Sequence, residues 1–147
     1  MTPQKQAVAG ELEELTREEC IKLLRTQPVG RFAVAQGEAP PHVVPVNYIL
    51  DGENVIFRSG PGTTLALVAG GVVSFQVDSI DPVRREGWSV LIGGRAYQSF
   101  AREIDHLRLD SYADGEKGRW VRIEPDVVTG RRIRPQELTA SDSRGYL

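Results

Sequence analysis

The sequence predicts a mainly β protein, an antiparallel barrel of about six strands with short peripheral helices. Three observations carry that expectation. Short runs of β-branched and aromatic residues, such as Arg31–Gln36, Asn54–Arg58, Val72–Val77 and Trp120–Glu124, recur with turn residues between them. Asp51-Gly52, flanked on both sides by apolar residues, is a tight hairpin signal. Segments of helical period are few and short, so consecutive hairpins connect the strands.

Residues 1–13 are polar, show no periodic apolar pattern, and read as a flexible lead-in. A helix is expected from Arg17 to Arg25. Thr16 and Glu19 form a Thr-x-x-Glu capping box, Cys20, Leu23 and Leu24 supply one apolar face, and Pro28 stops the run. The strand Arg31–Gln36 follows, then a polar turn around Gly37 and Glu38. The next strand, His42–Leu50, contains Pro45, which cannot donate to a ladder and so belongs at an edge or a bulge. After the return strand Asn54–Arg58, a Gly-rich segment leads into a short helix from Thr63 to Ala69, closed by Gly70-Gly71. Val72–Val77 is expected as a strand, and polar Asp78–Gly87, with Pro82, as a loop. Trp88–Phe100 reads as a long strand whose Gly93-Gly94 pair marks a bulge or a sharp bend. A helix from Arg102 to Leu109, the strand Trp120–Glu124 and a further extended piece, Val127–Ile133, complete a domain over residues 14–134. Residues 135–147 read as a tail.

With 147 residues, 40% of them hydrophobic and 26% charged, the chain suits one soluble domain with its own core. A net charge of −2 gives no general attraction to nucleic acid or to an acidic membrane surface. No apolar run approaches the ~20 residues needed to span a bilayer, and Met1–Gly10 lack the apolar stretch of a signal peptide. Cys20 has no second cysteine to pair with, and His42 and His106 lie too far apart to suggest a metal site. A cytoplasmic protein with no nucleic-acid, membrane or metal partner is expected.

The segment Arg58-Ser-Gly-Pro-Gly-Thr-Thr64 carries the chemistry. The first turn of a helix has backbone N–H groups without intrahelical partners and the positive end of the macrodipole. A Gly-rich approach through Gly60 and Gly62 lets the backbone come close to an anion, and Ser59, Thr63 and Thr64 add hydroxyl donors. Arg58 can reach the same anion with a planar fork of donors. The pattern also fits a plain strand-to-helix turn with Thr63 as the cap. It is neither a Walker loop, for lack of Gly-Lys-Ser/Thr, nor a dinucleotide fingerprint, for lack of a strand–helix–strand unit.

Beyond this segment, Val44-Pro-Val-Asn-Tyr-Ile-Leu-Asp-Gly-Glu-Asn-Val-Ile-Phe-Arg-Ser-Gly-Pro-Gly-Thr-Thr-Leu65 resembles the flavin-binding hairpin of the pyridoxamine 5′-phosphate oxidase-like family. Gly87-Trp-Ser-Val-Leu-Ile-Gly-Gly-Arg-Ala96, with its Val-x-x-x-Gly-x-Ala pattern, is similar to that family's following barrel strand. Trp120–Ile133 is similar to its C-terminal strand. The likeness spans residues 14–133 in the family's order. It implies a six-stranded FMN-binding split barrel acting as a homodimer, with two cofactor sites at the subunit interface. By position, His42 to Asn47, including Val44, Pro45 and Val46, run beside the isoalloxazine and ribityl chain. Arg58, Ser59, Gly62, Thr63 and Thr64 meet the phosphate. Ser89 approaches the ring from the partner subunit, Trp88 is a candidate to stack on it, and Arg131 or Arg132 approaches from the C-terminal segment.

One departure bears on the cofactor. Relatives commonly carry Lys or Arg where this chain has Thr64 or Leu65. The missing cation removes a charge-assisted contact of about 1.5–3 kcal/mol, which Arg58 or another Arg has to replace. A deazaflavin coenzyme and an empty site are the alternatives to FMN.

The remaining residues have plainer roles beside these. His42 suits a hydrogen-bonded strand-edge histidine, Trp88 and Trp120 the barrel mouth or subunit interface, and Cys20 a small core residue. Of Asn47 and Tyr48, which alternate on one strand, only one can face a cofactor. No residue pair reads as a dedicated acid/base or nucleophile, as flavin chemistry permits. The resemblance implies a flavin-dependent oxidoreductase that exchanges hydride or electrons between a donor and a small molecule. Nothing matches the C-terminal substrate-binding residues of true pyridoxamine 5′-phosphate oxidases, so that particular activity is not expected. The alternative is a binding or storage protein holding a flavin, deazaflavin or haem-related ligand without turnover.

Overall fold

The computed structural model describes residues 11–59, 70–99 and 119–135. The helices expected at residues 63–69 and 102–109, the residues Gly62, Thr63 and Thr64, and residues 136–147 lie outside them. The described elements are β1 (Glu11–Leu15), α1 (Arg17–Leu24), β2 (Val29–Gln36), β3 (Ala39–Asp51), β4 (Asn54–Ser59), β5 (Val72–Asp81), β6 (Glu86–Ser99) and β7 (Arg119–Arg134).

Six strands close a ring in the order β2, β3, β4, β7, β6, β5 and back to β2, with every neighbouring pair antiparallel. The expected mainly β antiparallel barrel is the fold of this chain. A seventh strand is added to it. β7 pairs with β6 along one edge from Trp120 to Ile133. Its other edge serves β4 at Arg119–Ile123 and β1 at Gly130–Arg134.

Strand β1 takes in residues that the sequence places in the lead-in. Glu11-Leu-Glu-Glu-Leu15 has no strand-like apolar alternation, and of its residues Leu15 joins the core. Its acidic residues lie opposite the arginines of β7, Glu14 across from Arg131 and Glu13 across from Arg132, and Glu13 pairs with Arg134 at 3.5 Å. The segment expected as a loop, Asp78–Gly87, is likewise mostly strand. β5 continues to Asp81 and β6 starts at Glu86, with the Asp81 carboxylate accepting the Val83 and Arg84 amides at 3.0 and 3.1 Å to shape the turn. A hairpin that extends past the core needs no buried face, so polar residues do not interrupt it.

Two glycines set the strand geometry. Gly52 opens the two-residue loop between β3 and β4 at φ 61°, the conformation a type II′ hairpin requires at that place. Gly94 lies at the register shift between β6 and β7, where Gly93 faces Val127 and Gly94 faces Pro125, leaving Asp126 as the extra residue. A Cβ on Gly94 would collide with the Glu124 carbonyl oxygen. The bulge absorbs Pro125, so the two extended pieces expected on either side of it form one strand.

Alternating residues fill the barrel: Phe32, Val34, Tyr48, Leu50, Val55, Phe57, Val73, Phe75, Val77, Val90, Ile92, Ala96, Val121 and Ile123 are all buried. Phe57 sits between Phe32 and Phe75, with ring centroids 5.1 and 6.5 Å away. Helix α1 adds Cys20, Ile21 and Leu24 to the same core. Its N-terminus has the expected capping box, in which the Glu19 amide donates to Thr16 Oγ1 at 3.2 Å and the Thr16 amide to Glu19 Oε1 at 3.1 Å. Those contacts hold the Glu19 carboxyl below its ordinary range. Arg25 and Arg17 bind the β3–β4 turn, at the Gly52 carbonyl (2.8 Å) and the Glu53 carboxylate (3.2 Å).

Candidate functional site

The end of β4 sorts its residues by alternation. Phe57 points into the barrel and Arg58 outward, and Ser59 is buried. Arg58 lies directly opposite Trp120 on β7, with its guanidinium carbon 4.6 Å from the centre of the indole. Arg122, two residues further along the same outer face, lies over Tyr97 of β6 at 5.6 Å and pairs with Glu124 at 3.0 Å. The two arginines are therefore committed differently. Arg122 engages a carboxylate, whereas among the described residues no carboxylate pairs with Arg58.

Strand β3 borders this region. β4 pairs only with Tyr48–Asp51, so residues 39–47 of β3 have β2 on one edge and no described strand on the other. Prolines at 40, 41 and 45 suit such an edge, since each lacks the N–H a further strand would need. Val44 and Val46 turn inward against the core. Pro45 faces outward opposite Arg31. Asn47 is half-buried, and its amide donates to the Pro28 carbonyl at 3.3 Å. Tyr48 is core, where burial pushes its phenol up. Of the alternating pair Asn47 and Tyr48, the outer face thus receives Asn47. His42, half-buried, lies opposite Val34 near the far end of the strand.

Next to Pro45, Arg31 belongs to a polar network that the sequence did not signal. It reaches Gln76 at 3.4 Å and Asp78 at 3.7 Å, while Gln76 donates to Asp78 at 2.8 Å. The partnership of Arg58 with Trp120 has no local signature either, because it depends on the register of two strands distant in the chain.

The other predicted contacts gather elsewhere. Ser89 faces Arg131, and Trp88 faces Arg132, where β6 meets the far half of β7. Trp88 packs partly against the core at the barrel mouth. An open groove of about 570 Å³ runs along this end, lined by Ile80, Pro82, Trp88, Ser89, Arg131 and Ile133 among others. Arg132 lies near Glu19 of α1 and helps to hold that carboxyl low, after the Thr16 hydrogen bonds. Trp120 and Arg131 are eleven residues apart on one strand, a separation on the order of 30 Å. The Trp120 end of β7, with Arg58 beside it, is therefore separated along the strand from the end that carries Arg131 and Ser89. Gly62, Thr63 and Thr64 lie outside the described residues.

Burial pushes the Cys20 thiol up, aided by the nearby Glu19 carboxylate, so it stays a neutral core group. Among the described residues no group of three or more His, Cys, Asp or Glu converges as a metal site, and no helix is long and apolar enough to cross a membrane.

Comparison with known proteins agrees with this architecture. Residues 16–132 match the family model described as pyridoxamine 5′-phosphate oxidase. An uncharacterised protein of Mycobacterium tuberculosis is 33% identical over 134 residues, covering 85% of this chain and 88% of that protein. The FAD-binding protein of Mycobacterium smegmatis is 29% identical with a TM-score of 0.66, over 84% of this chain and all (100%) of that one. A FAD-binding protein from Mesorhizobium loti is 25% identical, also with a TM-score of 0.66, over 84% and 98% of the two chains. A Corynebacterium glutamicum structure, 24% identical with a TM-score of 0.72 over 86% and 96%, shares the fold. With the closed ring, the flanking β1 and the family match over most of its length, this chain belongs to the pyridoxamine 5′-phosphate oxidase-like family.

Proposed function

We propose that the protein is a homodimeric flavin-binding oxidoreductase in which each site combines the Arg58 region of one copy with the Trp88–Ser89–Arg131 groove of another. The observation that carries this reading is the division of the predicted contacts between the two ends of β7. Each end offers part of a site, and a two-fold pair of chains can join them. FAD-binding relatives at 29% and 25% identity support a flavin as the ligand.

The residues present fit the phosphate end of FMN or FAD. Arg58 is held on a strand end beside the Gly-rich segment, with no described carboxylate competing for its donors. Arg58 binds the phosphate, and Gly62, Thr63 and Thr64 add hydroxyl and backbone donors; the expected Ser59 hydroxyl is not among them, since Ser59 is buried on the other side of the strand from Arg58. The open edge of β3 at Pro45 and Asn47 offers backbone polar groups to the rim of a planar ring, with Val44 and Val46 fixing that edge against the core. From the second copy, Trp88 supplies an apolar wall, and Ser89 and Arg131 supply a hydroxyl and a cation. A bound flavin supplies hydride and electron transfer, and these residues orient it and exclude water. FMN is the proposed form, acting in the cytoplasm on a small molecule.

Titration with FMN, FAD and a deazaflavin coenzyme, followed by visible absorbance, tests the reading. Uptake of FMN, bleaching by a reductant and recovery in air are expected. Arg58→Ala should weaken uptake by about 10- to 100-fold with little change in thermal midpoint. Uptake of FAD or deazaflavin alone would reassign the cofactor, and binding without reversible bleaching would favour a storage protein. Mixing Arg58→Ala chains with Arg131→Ala chains tests the shared site. A 1:1 mixture that exchanges subunits should regain about a quarter of the intact sites. No recovery on exchange would place both residues in a single-chain site or in none.

A further inference from the structure

We infer that Trp120 is a positioning residue for Arg58, holding the guanidinium over the indole so that its N–H donors stay available to a flavin phosphate. This rests on the flavin reading above. The two residues are direct cross-strand partners on the outer face, with the guanidinium carbon 4.6 Å from the indole centroid. Both are half-buried, so the stack is partly shielded from water.

The geometry decides what the contact leaves free. A guanidinium has five N–H donors in its plane and an apolar face above and below. A carboxylate partner occupies the donors, as Glu124 does with Arg122 at 3.0 Å. An aromatic partner has no carboxylate oxygens to occupy the donors, so a guanidinium over the ring keeps most of them for another acceptor. Arg58 has the second kind of partner and, among the described residues, no partner of the first kind. An arginine at a strand end ordinarily spreads over many rotamers, and ordering it on binding costs affinity. Trp120 meets part of that cost before any ligand arrives.

The test is a double-mutant cycle on flavin affinity, with thermal midpoints and Arg58 side-chain resonances recorded for each variant. Trp120→Leu is expected to weaken FMN binding by about 3- to 10-fold, and Trp120→Phe, which keeps an aromatic face, to recover most of it. In an Arg58→Ala background the Trp120→Leu change should alter affinity by less than about twofold. The ligand-free wild type should show Arg58 resonances shifted by the indole ring current, and Trp120→Leu should abolish that shift. Equal losses from Trp120→Leu with and without Arg58 would overturn the inference and give Trp120 a direct or purely structural role. Failure of Trp120→Phe to rescue would overturn it as well. If the wild type takes up neither FMN nor FAD, the flavin reading fails and the proposed role falls with it. A ring-current shift that persists in that case shows the stack to be real and its purpose to lie elsewhere.

Discussion

Tyr48→Phe removes one oxygen and one hydrogen bond while leaving the shape of the core intact. The ring lies edge-on to Phe75 at a centroid distance of 5.0 Å, and the residue is only 5% exposed. Its hydroxyl donates to the Leu24 carbonyl at the end of α1, and its backbone N–H donates to the Pro28 carbonyl at 3.2 Å. The last carbonyls of a helix have no intrahelical donor. Leu24 belongs to that set, and its side chain is fully buried. Deleting the hydroxyl therefore strands an acceptor in a poorly hydrated place, which costs about 1–3 kcal/mol. For a chain of this length that corresponds to a drop of about 3–10 °C in the thermal midpoint. The pH dependence gives an internal check. Burial pushes the phenol above its ordinary value of 10.0, so the folded state keeps its proton at pH values where the unfolded state releases it. The stability from this group is complete below about pH 10 and declines as the pH rises further. Phenylalanine has no such decline. Urea unfolding of both proteins at pH 8 and at pH 11 should show a full difference at the lower pH and a smaller one at the higher. A difference under about 0.5 kcal/mol at pH 8, or one unchanged at pH 11, would refute the hydrogen bond or the burial behind it.

The other predictions follow from single contacts. Gly94→Ala places a Cβ against the backbone carbonyl of Glu124 at the β6–β7 bulge, and it should cost at least about 2–3 kcal/mol. Chemical denaturation measures it, and a near-neutral result would show that the bulge is free to relax. Glu19→Gln keeps the capping geometry and removes the charge. The Glu19 carboxyl is held low chiefly by its hydrogen bonds with Thr16, so its stabilisation is present above its unfolded value of 4.5 and is lost as the pH falls through the lowered folded value. The wild type should be the more stable at pH 7, with the gap closing below about pH 4. A gap that persists at pH 3 by circular dichroism melting would place its origin outside the carboxylate. Arg131→Ala should weaken flavin uptake while leaving the melting midpoint of the ligand-free protein within about 1 °C. A large loss of stability would instead make Arg131 part of the β1–β7 charge ladder.

The sequence by itself determined what depends on neighbours in the chain. The capping box of Thr16 and Glu19, the hairpin glycine at 52, the core alternation of Phe32, Phe57 and Phe75, and the order of strands after residue 29 all follow from local periodicity and backbone preference. The resemblance over residues 14–133 placed the chain in its family on the same basis. Tertiary structure decided whatever depends on pairing between distant segments. Glu11–Leu15 becomes a strand by pairing with β7, whose arginines lie opposite its acidic residues, and the polar Ser79–Asp81 stretch becomes one because β6 returns along it. Pro125 is accepted inside a strand because Gly94 lacks the side chain that would block the bulge. The same holds at the site. A spacing such as Arg58 to Trp120 has no local signature, yet strand register puts the two in contact. Arg58 and Arg131, which the resemblance assigns to the same cofactor, lie beside opposite ends of β7. Local chemistry names the groups able to grip a phosphate, but only the closed barrel fixes which of them one chain can bring together.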